Sequence, residues 1–70
     1  MTAGIQIVVN GEIREVPTGL SVPGLLSHLG LPADRVAIER NLEILPRFEW
    51  VSTTVLPDDR YEIVQLVGGG

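Results

Sequence analysis

The residue types that could perform chemistry are few in this chain of 70 residues, which has no cysteine and a single histidine. A thiol nucleophile is therefore excluded, as is a metal site built from thiolates or several imidazoles. The histidine, His28, follows the apolar stripe of a predicted helix, where we expect it on a solvent-exposed flank. Asp58 and Asp59 are adjacent carboxylates, but they follow a proline and precede a strand, which is typical of turn residues. We predict that the chain is not an enzyme and holds no metal.

The end of the chain is the remaining candidate, because three glycines at residues 68–70 directly follow an apolar, strand-like run. Such an end can simply be frayed. Alternatively, the carboxylate of Gly70 is the functional group. Glycine has no side chain to obstruct a narrow channel into an active site, and it takes almost any backbone conformation. Three extended residues reach about 10 Å. On this hypothesis Gly68 and Gly69 thread into another protein's active site and deliver Gly70 there.

Composition restricts the class of partner. The formal net charge is −4 and the isoelectric point is about 4.6, which disfavours nucleic acid and anionic membranes as partners because both are bound mainly through Lys and Arg. The first residues resemble no signal peptide, and no apolar run approaches the roughly 18 residues of a membrane span. We therefore expect a cytoplasmic protein with neither a nucleic-acid nor a membrane partner.

The elements that must position the tail begin with a hairpin over residues 4–16. Ile5, Ile7 and Val9 follow the period of two of a half-buried strand. Asn10-Gly11 is a strong signal for a two-residue turn, and the return strand ends at Pro17.

A short helix follows, because Val22, Leu25, Leu26 and Leu29 recur at i, i+3, i+4 and i+7. Ser21 is a suitable N-cap, and Gly30 is a suitable C-terminal stop. So short a helix requires packing against a sheet to be stable.

Beyond the helix the sequence predicts two short strands, a loop and a last strand. The two strands fall near residues 36–39 and 43–45, and residues 46–52 form an irregular turn or one helical turn. A polar turn precedes the last strand, which covers residues 61–67. The order predicts an α+β fold of the β-grasp, ubiquitin-like type: a mixed sheet of four to five strands with one helix packed across one face. Residues 1–67 would form the domain, and residues 68–70 a flexible glycine tail.

The last strand has two faces, and their assignment decides what surrounds the tail. If Tyr61 and Ile63 face the core, then Glu62, Val64 and Leu66 face outward. Together with Val67 these outward residues would form a partner-docking surface beside the tail. A slip of one residue would reverse the assignment and bury Val64 and Leu66. Trp50 we assign to the core, because so small a domain needs its few aromatic residues inside.

The chain resembles the ThiS family of sulfur carriers over essentially its whole length. The resemblance lies in "NGE" in the hairpin, "LLSHLGL" in the helix, "VAIERNLEILPRFEW" after it and "DRYEIVQLVGGG" at the end. The stretch from Asn41 to Trp50 is the most discriminating, because a terminal di-glycine would fit any ubiquitin-like carrier. Phe48 departs from the pattern, since the family has a small polar residue there.

The resemblance implies a route for the Gly70 carboxylate. A ThiF-like adenylating enzyme would activate it with ATP, and sulfur from a persulfide donor system would convert it to a thiocarboxylate. A thiazole synthase, ThiG-like, would take up that sulfur for the thiazole of thiamine. The chain itself would be a carrier with no permanently bound cofactor, and ATP would be used by the partner.

Three alternatives share the fold. A MoaD-like or CysO-like carrier would use the same tail and activation for another recipient. A ubiquitin-like modifier would join the activated Gly70 carbonyl to lysines of other proteins. A plain β-grasp interaction module would have an inert tail.

Overall fold

The computed structural model describes residues 4–67. They form one α-helix, α1 (Val22–Leu29), two 3₁₀ segments (Ala33–Arg35 and Arg47–Ser52) and five strands: β1 (Gly4–Val9), β2 (Glu12–Pro17), β3 (Val36–Arg40), β4 (Glu43–Ile44) and β5 (Arg60–Gln65). The strands lie in one sheet in the order β2-β1-β5-β3-β4. The pair β1–β5 is parallel and the other pairs are antiparallel. This mixed five-stranded sheet with one helix confirms the predicted β-grasp fold.

The predicted hairpin is present, with β1 and β2 in register from Gly4 opposite Pro17 to Val9 opposite Glu12. Its turn places Asn10 at φ 51° and Gly11 at φ 83°. Asparagine and glycine are the residues that tolerate positive φ most readily, so the sequence sets where the hairpin turns.

Helix α1 begins and ends as its sequence predicts. The Ser21 hydroxyl accepts a hydrogen bond from the Gly24 amide at 3.3 Å. At the other end Gly30 adopts a left-handed conformation with φ 73°. Val22, Leu25 and Leu26 are buried in the core that the helix forms with the inner face of the sheet.

The loop after β4 differs from the prediction, because residues 47–52 form a 3₁₀ segment of six residues, longer than one helical turn. Trp50 is buried, as predicted, and its indole Nε1 donates to the Leu45 carbonyl at 3.0 Å. The guanidinium of Arg47 lies 4.3 Å from the centre of the Trp50 ring. It also donates to the carbonyls of Ala33 and Val36, and thereby fastens this segment to the start of β3.

One further element and the bounds of the last two strands also differ from the sequence-based expectation. The 3₁₀ segment Ala33–Arg35 was not predicted, and β4 is shorter than expected. The last strand begins at Arg60 and ends at Gln65, so Leu66 and Val67 extend beyond it. Within residues 4–67 no helix is long and apolar enough to cross a membrane.

Candidate functional site

The site predicted for the tail lies at the end of β5, and its three glycines fall outside the described residues. Gly68, Gly69 and Gly70 therefore stay predictions, as does the boundary between a domain at residues 1–67 and a tail at residues 68–70. Just before them, the Leu66 amide donates to the Arg35 carbonyl at 2.6 Å. Val67, the last described residue, is 94% exposed. The chain thus leaves the sheet at its surface.

The burial of side chains along β5 agrees with the assignment of Tyr61 and Ile63 to the core. Both are buried, whereas Glu62 is exposed, Val64 is 58% exposed and Leu66 is 52% exposed. The reverse assignment, with Val64 and Leu66 in the core, is excluded. Whether these outward residues bind a partner stays a prediction.

Neighbouring strands extend this outward face into a larger surface. Ala37 lies opposite Val64, and Glu39 lies opposite Glu62. On the far side of β3, Ile44 lies opposite Glu39 and is exposed. The groove here has a volume of about 450 Å³. We call this surface the docking face, formed by the outward side chains of Ala37, Glu39, Ile44, Glu62, Val64 and Leu66.

The docking face combines apolar side chains with a pair of acids, Glu39 and Glu62. Opposite residues of an antiparallel pair have their Cβ atoms about 4.5–5.5 Å apart, and like charges there are destabilising. In residues 4–67 the ion pairs are Arg14–Glu12 and Arg40–Asp59, so neither Glu39 nor Glu62 is neutralised by one. A partner that brings an arginine or lysine to this position would relieve the repulsion.

Two asparagines hold β5 through their side chains, one within the strand and one at its start. Asn10 Nδ2 donates to the Ile63 carbonyl at 3.1 Å, and the Ile63 amide donates to Asn10 Oδ1 at 2.7 Å. At the start of β5 the Arg60 amide donates to Asn41 Oδ1 at 2.9 Å. Each asparagine occupies a turn at positive φ. The strand that leads to the tail is thus fixed where its neighbouring strands turn away.

Asp59 shows where the sequence-based interpretation was incomplete. Asp58 is an exposed turn residue as predicted, but Asp59 is only 5% exposed. Its carboxylate accepts hydrogen bonds from Arg40 Nε at 3.1 Å, Asn41 Nδ2 at 3.2 Å, the Leu56 amide at 2.9 Å and the Tyr61 hydroxyl at 3.1 Å. The separation of 18 residues between Asn41 and Asp59 along the chain hides this cluster from any local pattern.

The ionisation of this cluster follows from its contacts. Burial alone would raise the pKa of Asp59, but the hydrogen bonds from Leu56, Asn41 and Tyr61 and the charge of Arg40 outweigh it, so the pKa lies below its usual value. Burial raises the pKa of Tyr61 to about 12. Both groups therefore keep their usual ionisation states near neutral pH and act as a structural clamp at the base of β5.

The other residues considered for chemistry lie apart from this region. His28 is exposed on α1, as predicted. Phe48 is 81% exposed, so the large side chain at this position does not fill the core. Across residues 4–67 no three His, Cys, Asp or Glu side chains are grouped so as to hold a metal ion.

Comparison with known proteins shows which family the chain is related to. Residues 7–70 match the model of the ThiS family. The crystal structure of the thiamine biosynthesis protein ThiS from Geobacter metallireducens superposes with a TM-score of 0.81 at 36% identity, covering 94% of this chain and 100% of that one. A solution structure of a thiamine biosynthesis protein from the same organism gives a TM-score of 0.76 at 35% identity, covering 94% and 88% of the two chains.

Sequence relatives include longer proteins. The chain is 41% identical over 66 residues to a thiazole synthase of Paramagnetospirillum magneticum and 35% identical to one of Magnetococcus marinus. Each match includes 94% of this chain but only 20% of the length of the relative. It is also 39% identical to the uncharacterized protein ycf40 of Porphyra purpurea, covering 94% of this chain and 93% of that protein. The chain therefore belongs to the ThiS family of sulfur carrier proteins.

Proposed function

We propose that the chain carries sulfur on the carboxylate of Gly70 and delivers it for thiazole formation in thiamine biosynthesis. The observation that supports this most directly is the path of β5. The strand ends at the surface beside the docking face, and Val67, almost fully exposed, precedes the three glycines. A partner that binds the docking face is thereby positioned to receive the tail.

The chemistry requires that the carboxylate be activated first, because nucleophilic attack on a free carboxylate would have to expel oxide. A ThiF-like enzyme would let the Gly70 carboxylate attack the α-phosphorus of ATP, so that pyrophosphate leaves and an acyl adenylate forms. A persulfide from the sulfur donor system then attacks the carbonyl carbon and AMP leaves. A thiol cleaves the resulting acyl disulfide at its S–S bond, which releases the thiocarboxylate and a new disulfide.

Each partner supplies a part of this route, and the chain itself supplies the carrier group. The adenylating enzyme binds ATP, so no cofactor needs to remain on this chain. A thiazole synthase, ThiG-like, is the proposed recipient. The support is that two proteins named thiazole synthase contain a segment similar to nearly all of this chain. We expect these reactions to take place in the cytoplasm.

The test is the intact mass of the chain after incubation with ATP, a ThiF-like enzyme and a persulfide donor. We expect one oxygen to be replaced by one sulfur, and we expect deletion of Gly70 to abolish the change while thermal unfolding stays the same. An unchanged mass, under conditions in which a known ThiS protein is converted, would contradict the proposal.

The same preparation separates the alternatives. Heavier covalent adducts in a lysate would support a modifier joined to lysines. Transfer of sulfur to a purified thiazole synthase supports the thiamine route, whereas transfer only to another acceptor supports a MoaD-like or CysO-like carrier. Full activity of a variant without residues 68–70 would support an interaction module with an inert tail.

A further inference from the structure

The two sides of β5 are paired over different lengths. On the β3 side, pairing runs from Tyr61 opposite Arg40 to Gln65 opposite Val36, and the Leu66 amide prolongs it. On the β1 side, pairing ends at Val9 opposite Tyr61. Asn10 carries it two residues further through its side chain, as far as Ile63. The hairpin turn then takes the chain away from β5.

Backbone groups beyond Ile63 therefore face a free edge. Successive residues of a strand direct their N–H and C=O groups alternately to the two sides. The N–H and C=O groups of Ile63 bond to Asn10 on the β1 side. In an extended chain, the N–H and C=O groups of Gln65 and Val67 therefore also point toward the β1 side. Within residues 4–67 no backbone hydrogen bond is formed on that side by Gln65 or Val67. We call this edge, beyond the Asn10–Gly11 turn, the β5 notch.

The β3 side gives independent support for this direction. The Leu45 amide donates to the Ile38 carbonyl, and Arg47 Nη2 donates to the Val36 carbonyl. Val36 and Ile38 thus direct their carbonyls away from β5. Gln65, opposite Val36, therefore belongs to a pair without mutual hydrogen bonds, and its N–H is not used by the fold.

We infer that the β5 notch binds an extended segment of the adenylating enzyme, which adds a short strand beside Gln65 and Val67 in line with β1. Exposed strand edges pair readily with another chain. This inference rests on the proposed function, because the choice of partner comes from the tail. Gly70 is the third residue after Val67, so an active site that holds Gly70 lies within about 10 Å of Val67. The enzyme must therefore cover the notch or lie directly beside it.

Strand addition at the notch would do what the docking face alone cannot. Side-chain contacts at Val64 and Leu66 hold the body of the domain, and the Leu66 amide is bonded to Arg35. Neither fixes the β1 side of the chain, where Gln65 and Val67 form no backbone hydrogen bond within residues 4–67. Hydrogen bonds to Gln65 and Val67 fix the direction in which the tail leaves. Fixing it before activation reduces the conformational freedom that is lost when Gly70 enters the active site.

The test compares Gln65→Pro with Gln65→Ala in ATP-dependent adenylation, which is measured as the rate of pyrophosphate release. Proline removes the N–H that the partner would use, whereas alanine removes only the side chain. We expect Gln65→Pro to lower kcat/KM about three- to tenfold, mainly through KM, as for one lost hydrogen bond. Gln65→Ala should stay within about twofold of the wild type.

Two further measurements keep the outcome decisive. Thermal unfolding of Gln65→Pro should match that of Gln65→Ala. An N-methyl group at the Gln65 amide, introduced by semisynthesis, removes the same N–H without the proline ring, so it should lower kcat/KM as proline does even if the proline ring itself perturbs the fold. Equal activity of the N-methylated and wild-type chains would overturn the inference, as would equal losses in the proline and alanine variants. Failure of the wild type to be adenylated would instead contradict the proposed function.

Discussion

The amide side chain of Asn10 pairs with the backbone of Ile63 in both directions, at 3.1 Å and 2.7 Å. The amide thus stands in for the peptide group that a longer β1 would have placed there. The residue that turns the hairpin also holds the strand that leads to the tail, although 53 positions separate the two residues in the sequence.

Asn10→Gly should test this double role, because glycine keeps the positive φ of the turn but removes the amide. We expect a loss of about 1–3 kcal/mol in the free energy of unfolding, as for two backbone groups of a nearly buried residue left without partners. Urea unfolding measures it, and hydrogen exchange of the Ile63 amide should become faster. Gly11→Asn, which alters the same turn without touching Ile63, is the control. A stability loss as large in the control would assign the effect to the turn.

Leu66→Ser should weaken adenylation while leaving the fold intact, because Leu66 is half-exposed on the docking face beside the tail. We expect kcat/KM to fall about tenfold, the size typical of an apolar contact near an interface centre. Ile13→Ser is a matched control, since Ile13 is 71% exposed and lies on the edge strand β2, opposite Val8, with β1 between it and β5. Equal losses in both variants would contradict the specific role of the docking face.

Glu62→Gln should move stability and binding in opposite directions. Removing one charge of the Glu39–Glu62 pair relieves repulsion across the strands, so the free energy of unfolding should rise by a few tenths of a kcal/mol. If a basic group of the adenylating enzyme meets this pair, KM should increase and its dependence on ionic strength should weaken. Urea unfolding and a salt series of the adenylation kinetics measure the two effects. An unchanged KM at low salt would exclude the predicted contact.

Local patterns in the sequence predicted most of the fold, because each depends on neighbours within a few residues. The Asn10-Gly11 turn, the stripe of α1 and the facing of Tyr61 and Ile63 are of this kind. The 3₁₀ segment Arg47–Ser52 was underestimated because Arg47 is held by the carbonyls of Ala33 and Val36. Tertiary contacts of this kind override local preference.

The site was only partly visible in the sequence for the same reason. The exposure of Val64 and Leu66 follows from alternation along one strand. The opposition of Glu39 and Glu62, and the notch beside Gln65, depend on strand order and register, which alternation does not determine. Asp59 was interpreted as a turn residue from its neighbours in sequence, because its hydrogen bonds to Arg40 and Asn41 join positions 18 and 19 residues apart.

The clamp around Asp59 should make stability fall at both extremes of pH. The pKa of Asp59 in the folded protein lies below the ordinary value of 3.8, so its contribution is complete above that value and is lost as the pH falls below it. The pKa of Tyr61 rises from 10.0 to about 12 on folding. Its contribution is therefore complete below pH 10 and is lost as the pH rises toward 12.

Asp59→Asn and Tyr61→Phe separate the two arms of this profile. Asp59→Asn should lower the free energy of unfolding at pH 7 by about 1–3 kcal/mol, because Arg40 loses its buried partner, and it should flatten the decline below pH 4. Tyr61→Phe removes the phenol, so the decline between pH 10 and 12 should become shallower while the acid arm persists. Urea unfolding across the pH range measures both variants, with Asp58→Asn as the exposed control. An acid arm that is as steep in Asp59→Asn as in the wild type would show that other carboxylates produce it.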